Sequence, residues 1–204
     1  MIASVVAAPV VGRKVVAPYG DDGGFVVVVV GRAGPLLPNG VVLTGPAEPG
    51  PVALAGAEVW DPRLRIGPEP AALGRRIAEV VGVDEALTGD PEQIGARLIG
   101  RGPGLTPEGD DAVAGLAAVT AARDGAWAAA LLGRDLRRRT TALSATLLEL
   151  AARGMGPEAL QALVAGRLGA LDRLVRMGHT SGRAYARGAA VGLMGYGAAP
   201  WPAR

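Results

Sequence analysis

Over residues 15–59, runs of β-branched residues alternate with turn clusters. Val15-Val16-Ala17, Phe25 to Val30, Val41-Val42-Leu43 and Val52 to Val59 fit strands. Gly20-Asp21-Asp22-Gly23-Gly24, Gly34-Pro35 and Pro38-Asn39-Gly40 separate them. Five consecutive valines, Val26 to Val30, leave no polar face, which predicts a strand buried on both sides. Asn39-Gly40 predicts a turn, because both residues tolerate positive φ.

Past Pro70 the apolar period changes to three and four. Leu73, Ile77, Val80 and Val81 mark a first helix. Asp90-Pro91-Glu92-Gln93 predicts a helix start, with Asp90 as N-cap and Pro91 in the first turn, and Ile94, Leu98 and Ile99 facing inward. Thr106-Pro107 predicts another, capped by Thr106 and running to about Arg123. Further helices are expected over 140–153, closed by Gly154, then over 157–167, 170–177, and from Thr180 or Ser181 to Met194. Small residues crowd the last one, among them Gly182, Gly188 and Gly192. Glycine lowers helix stability by about 1 kcal/mol against alanine, so these glycines predict a close approach to a neighbouring helix or a ligand. The expected fold is therefore α+β: a β-rich N-terminal domain over 1–70, with a linker at 61–70, then a helical domain over 71–204 that carries the motifs.

Composition narrows the function classes. With 50% hydrophobic and 20% charged residues the chain is globular. Aromatics are only 3%, which disfavours stacking on nucleic-acid bases. The net charge is +2, carried almost wholly by arginine, and Arg137-Arg138-Arg139 is the one basic cluster. It fits a solvated helix start; the other reading is a phosphate or carboxylate clamp. No nucleic-acid partner is expected. The absence of cysteine removes disulfides and thiolate chemistry. No apolar run approaches the roughly 20 residues that span a membrane, and the apolar stretch 1–11 lacks a basic start. A cytoplasmic protein without a membrane partner is the expectation.

Chemistry concentrates in two glycine-flanked polar segments. The first is Gly102-Pro103-Gly104-Leu105-Thr106-Pro107-Glu108-Gly109-Asp110-Asp111. The second, Gly178-His179-Thr180-Ser181-Gly182, holds the single histidine. Each runs from a glycine-rich loop into a helix, where unpaired N–H groups and the helix dipole favour an anion. Asp110 and Asp111 fall in the first helical turn, where negative charge is favourable in any case. Adjacent helix positions point about 100° apart, so one of the two is expected to face inward. An inward carboxylate there suits Mg²⁺, an ammonium-like group or an amide hydrogen. His179 suits a general acid or base, or a donor to a carbonyl. Thr140 and Ser144 share a helix face; they either bond back to the i−4 carbonyl or line the same pocket. No Gly-Lys-Ser/Thr follows the first loop, no Gly-x-Ser-x-Gly elbow exists, and one histidine without cysteine makes no zinc site. No metal or cofactor is called for.

Together these segments resemble the family of the third subunit of oxamate carbamoyltransferase, from anaerobic allantoin breakdown. The resemblance lies in Gly102-Pro103-Gly104-Leu105-Thr106-Pro107, Asp110-Asp111 with Gly115, Thr140-Thr141-Ala142 with Ser144, Ala152 and Gly154, and Gly178-His179-Thr180-Ser181-Gly182 with Gly188. It covers about residues 95–195. Ala184 stands where members often carry aspartate. The resemblance implies transfer of a carbamoyl group between oxalurate and phosphate, giving oxamate and carbamoyl phosphate, in an assembly with other protein subunits. On that reading His179, Asp110 and Asp111 serve the chemistry. Gly102, Gly104, Leu105, Thr106, Thr140, Thr141, Ser144, Thr180, Ser181 and Gly182 would bind a small anion such as carbamoyl phosphate or oxamate. The alternative is a metabolite-binding or scaffold subunit without catalysis.

Overall fold

A computed structural model describes residues 15–16, 28–30, 34–43 and 58–195. The stretches 1–11, 17, 20–24, 25–27 and 52–57, on which part of the strand reading falls, lie outside the described residues. Three short strands are present: β1 (Val15–Val16), β2 (Val28–Val30) and β3 (Gly40–Val42). β1 pairs antiparallel with β2, and β2 parallel with β3. Helices follow as α1 (Pro70–Val81), α2 (Pro91–Leu98), α3 (Glu108–Ala121), α4 (Gly125–Ala130), α5 (Leu136–Arg139), α6 (Ala142–Ala151), α7 (Glu158–Val164), α8 (Ala170–Val175) and α9 (Ser181–Met194), with a 3₁₀ turn at Glu85–Leu87.

The expected α+β division is overturned: the described residues are mostly helical, and among them there is no β-rich first part. The strands are two or three residues long, too short to make a core of their own. Val28 and Val30 instead bury against Leu143 and Leu147 of α6, so the valine run uses a helix as its apolar partner. Glu58 and Val59, at the end of the fourth expected strand, are unpaired, and Val59 is exposed. Asn39-Gly40 does turn, closed by Gly40 N–H donating to the Leu37 carbonyl at 2.8 Å, but without positive φ at Gly40.

The stretch from Pro62 to Gly67 is a strap along the helices. Leu64 N–H donates to Gly154 O, Gly156 N–H to Pro62 O and Gly67 N–H to Val164 O. Gln161 fastens it further, donating from Nε2 to the carbonyls of Asp61 and Arg63.

α3 is the centre of the helical part, buried from Asp110 to Thr120. α9 crosses it at close range. A Cβ on Gly188 would collide with the Ala112 carbonyl, and one on Gly115 with the Tyr185 carbonyl. The glycines of α9 thus bring helix backbones together, and α1 docks on the same helix through Gly74 beside Ala190. The caps follow the expected chemistry: Asp90 Oδ1 accepts from Gln93 N–H at 3.0 Å and starts α2. Of the basic cluster, Arg137 pairs with Glu149 at 3.1 Å, while Arg139 donates to the carbonyls of Leu132 and Gly95.

Candidate functional site

The loop at 100–106 turns through glycine. Gly100 adopts φ +82°, and a Cβ there would collide with the Arg139 carbonyl, so no other residue fits. α3 then begins at Glu108 with Pro107 at its N-cap and no side-chain cap. Thr106, the expected cap, has another partner: its Oγ1 lies 3.3 Å from Ser181 Oγ, at the start of α9. Thr141 Oγ1 donates to the Leu105 carbonyl at 2.7 Å and accepts from Ser144 N–H at 3.1 Å, which caps α6. The N-termini of α3, α6 and α9 therefore meet around Leu105 and Thr106. Both sequence segments and the Thr140–Ser144 segment come to one place.

Asp110 and Asp111 are both buried, where one of the two is expected to face inward. The cause is α3 itself, which is enclosed on all sides. Asp110 is a structural tie. Its Oδ1 accepts from Gly100 N–H at 2.5 Å, and its Oδ2 accepts from Thr140 Oγ1. α6 starts two residues later than the sequence suggests, and Thr140 is left to reach Asp110.

Asp111 is different. Its Oδ2 is buried without a hydrogen-bond partner. Burial pushes its pKa up to about 7; the hydroxyls of Ser181 and Thr106 work against the shift, and the charges of Asp110 and Glu108 add to it. Ser144 Oγ is also buried without a partner, so this serine does not bond back to its i−4 carbonyl. Thr146, two residues on, does so, donating to Ala142 O at 2.9 Å.

His179 and Thr180 are exposed in the loop before α9. Among the described residues no ion pair joins His179 to Asp110 or Asp111. Gly182 serves packing: a Cβ would collide with the Leu174 carbonyl, and its N–H donates to Met177 O at 2.9 Å. Gly102 and Gly104 are exposed with φ near +105°, at +108° and +103°. Ala184 is fully buried, so the side chain at this departure from the family pattern lies in the core.

Two residues escape the motif reading. Tyr185 is buried beneath the site, and burial first, then the charges of Asp111 and Asp110, raise its pKa well above the usual phenol value. Arg187 donates to Glu108 at 3.0 Å and to the Val81 carbonyl at 3.1 Å. The scarcity of aromatics and the one-turn spacing from Arg183 were the only sequence signals for either. Gly178 borders a cleft of about 420 Å³ that also includes Arg173, Arg176, Met177, Pro35 and Leu36. Among the described residues no group of three or more acidic or histidine side chains gathers as a metal site, and no helix is long and apolar enough to cross a membrane.

A family model described as oxamate carbamoyltransferase subunit AllH matches residues 98–193, from the end of α2 to the end of α9. This is the family that the motifs resemble. No curated protein and no solved structure matches the chain.

Proposed function

We propose, on the premise that residues 98–193 fall in the family of oxamate carbamoyltransferase subunit AllH, that this chain works as a subunit of such an enzyme and contributes a site for its small anionic substrate. The site is the meeting point of α3, α6 and α9. The observation that carries this reading is the 3.3 Å contact between Thr106 and Ser181 beside the buried Asp111. Two hydroxyls and three helix starts supply donors and positive potential to a carboxylate or phosphate.

In the reaction, phosphate attacks the carbamoyl carbon of oxalurate, the C–N bond breaks, and oxamate leaves as carbamoyl phosphate forms. The amide nitrogen of oxamate gains a proton. His179, exposed at the mouth of the site, is placed by this reading as the group that handles it. Asp110 has both oxygens engaged by Gly100 and Thr140, and is a positioning residue here. Arg176, with Arg173 already paired to Glu158 at 3.6 Å, lines the adjoining cleft and gives the phosphate an approach.

The test is carbamoyl phosphate formation from oxalurate and phosphate by the assembled enzyme. Ser181→Ala and Thr106→Val are expected to raise KM for oxalurate at least tenfold with assembly intact. Unchanged KM and kcat in folded variants rule the site out. A second reading, a subunit that binds metabolite without catalysing, draws on the lack, among the described residues, of an ion pair between His179 and either aspartate. Unchanged turnover in His179→Ala, with assembly intact, favours that reading.

A further inference from the structure

We propose that Asp111 is the residue that recognises the –NH₂ group of the substrate, so that the site selects primary amides over isosteres lacking N–H. The inference rests on the site proposed above and specifies what it selects.

A buried carboxylate oxygen without a donor is costly, because it loses water and gains no hydrogen bond in return. Asp111 Oδ2 is in that condition while its residue is only 2% exposed. The neighbouring polar side chains leave Oδ2 open: the hydroxyls of Thr106 and Ser181 contact each other and bear on the Asp111 carboxyl without bonding Oδ2, and Asp110 is engaged elsewhere. The vacancy is therefore an acceptor that needs a donor. Thr106 and Ser181 are half-buried beside it, so the proposed route of a small molecule to Asp111 runs past their hydroxyls. Ser144 Oγ, equally buried and unpartnered, lies in the first turn of α6, whose start meets the same loop.

An anion with an amide fits this arrangement in two parts. Its carboxylate lies toward the hydroxyls and helix starts, which donate, and its –NH₂ donates to Asp111. A ligand with a carboxylate alone leaves Oδ2 unsatisfied. The titratable groups around Asp111 are Asp110 and Glu108 on α3 and Tyr185 on α9. Glu108 is answered by Arg187, and Tyr185 stays neutral, so Asp111 is the group there whose charge changes near neutrality.

Oxamate and pyruvate test this directly, because they share shape and charge and differ by –NH₂ against –CH₃. Calorimetry on the full chain is expected to give oxamate at least tenfold tighter binding than pyruvate at pH 8. Oxamate affinity should fall about tenfold from pH 8 to pH 6, as the carboxylate takes up its proton. Pyruvate affinity should not fall. Asp111→Asn, an isostere with a weaker acceptor, should narrow the preference to under threefold. Equal affinity for both ligands at every pH overturns the amide role of Asp111 and leaves the site reading standing. Binding of neither ligand overturns both.

Discussion

Thr106 and Ser181 are 75 positions apart in the chain, and their hydroxyl oxygens lie 3.3 Å apart in the fold. Neither residue caps its own helix through its side chain. The contact exists because α3 and α9 approach backbone to backbone, which only residues without a Cβ at the crossing allow. The site therefore depends on glycines that never touch a ligand.

Gly188→Ala tests that dependence. A methyl group there meets the Ala112 carbonyl and the Leu116 backbone nitrogen, and helix backbone has no room to yield. The expected cost is about 3 kcal/mol, typical of severe overpacking. In a chain of this size that lowers Tm by about 6–12 °C. Gly125→Ala is the control: it is a helix position with open space around the Cβ, and it should be neutral or stabilising by about 0.5 kcal/mol. Thermal melts by circular dichroism read both. Equal Tm values for the two variants count against the packing role.

The Asp110 tie predicts coupling rather than catalysis. Asp110→Ala removes acceptors from Gly100 N–H and Thr140 Oγ1, at a cost of about 3 kcal/mol. Thr140→Val removes one of these bonds and should cost about 1 kcal/mol. Because they share a bond, the double variant should be less destabilised than the sum of the two. Urea titrations of the four proteins give the coupling energy, and strict additivity contradicts the tie.

Local chemistry made much of this legible beforehand. Asp90 caps α2, the glycines of α9 mark a helix crossing, and the two polar segments do converge. What failed did so for tertiary reasons. The valine run does supply a strand, Val28–Val30, but its buried Val28 and Val30 pack on α6 rather than within a β-rich domain. Both aspartates turned inward because α3 is enclosed all round, which a rule about helix faces cannot anticipate. Thr106 looked like a cap and is a cross-link, since its partner is far away in sequence. The short helix α4 was missed although Asp124 caps it, accepting from Trp127 N–H at 2.9 Å.

Arg187 joins three helices. It donates to Glu108 at the start of α3 and to the Val81 carbonyl at the end of α1, from its own place in α9. The ion pair is about one-third exposed and so is screened; Glu108→Gln should cost about 0.5 kcal/mol. Arg187→Ala also frees a helix-end carbonyl and removes the packing of the side-chain stem. About 1–2 kcal/mol is expected for it. Raising salt to 1 M should erase the effect of Glu108→Gln and leave most of that of Arg187→Ala. If salt abolishes both effects, the carbonyl bond contributes nothing.

Asp111 predicts an unusual dependence of stability on pH. Its folded pKa is raised to about 7 from the ordinary 3.8, chiefly by burial. Between those values the folded state holds a proton that the unfolded state has released. Stability from this group is thus complete below about pH 4 and is lost as pH rises through 7. The full difference is on the order of 4 kcal/mol, since each unit corresponds to about 1.4 kcal/mol. Asp111→Asn mimics the protonated form and cannot titrate. Melts at pH 5 and pH 8 should show the native chain losing more Tm than the variant across that interval, with the two most alike at pH 5. Parallel pH profiles for the two proteins exclude a raised pKa at Asp111, and with it the pH trend expected for oxamate.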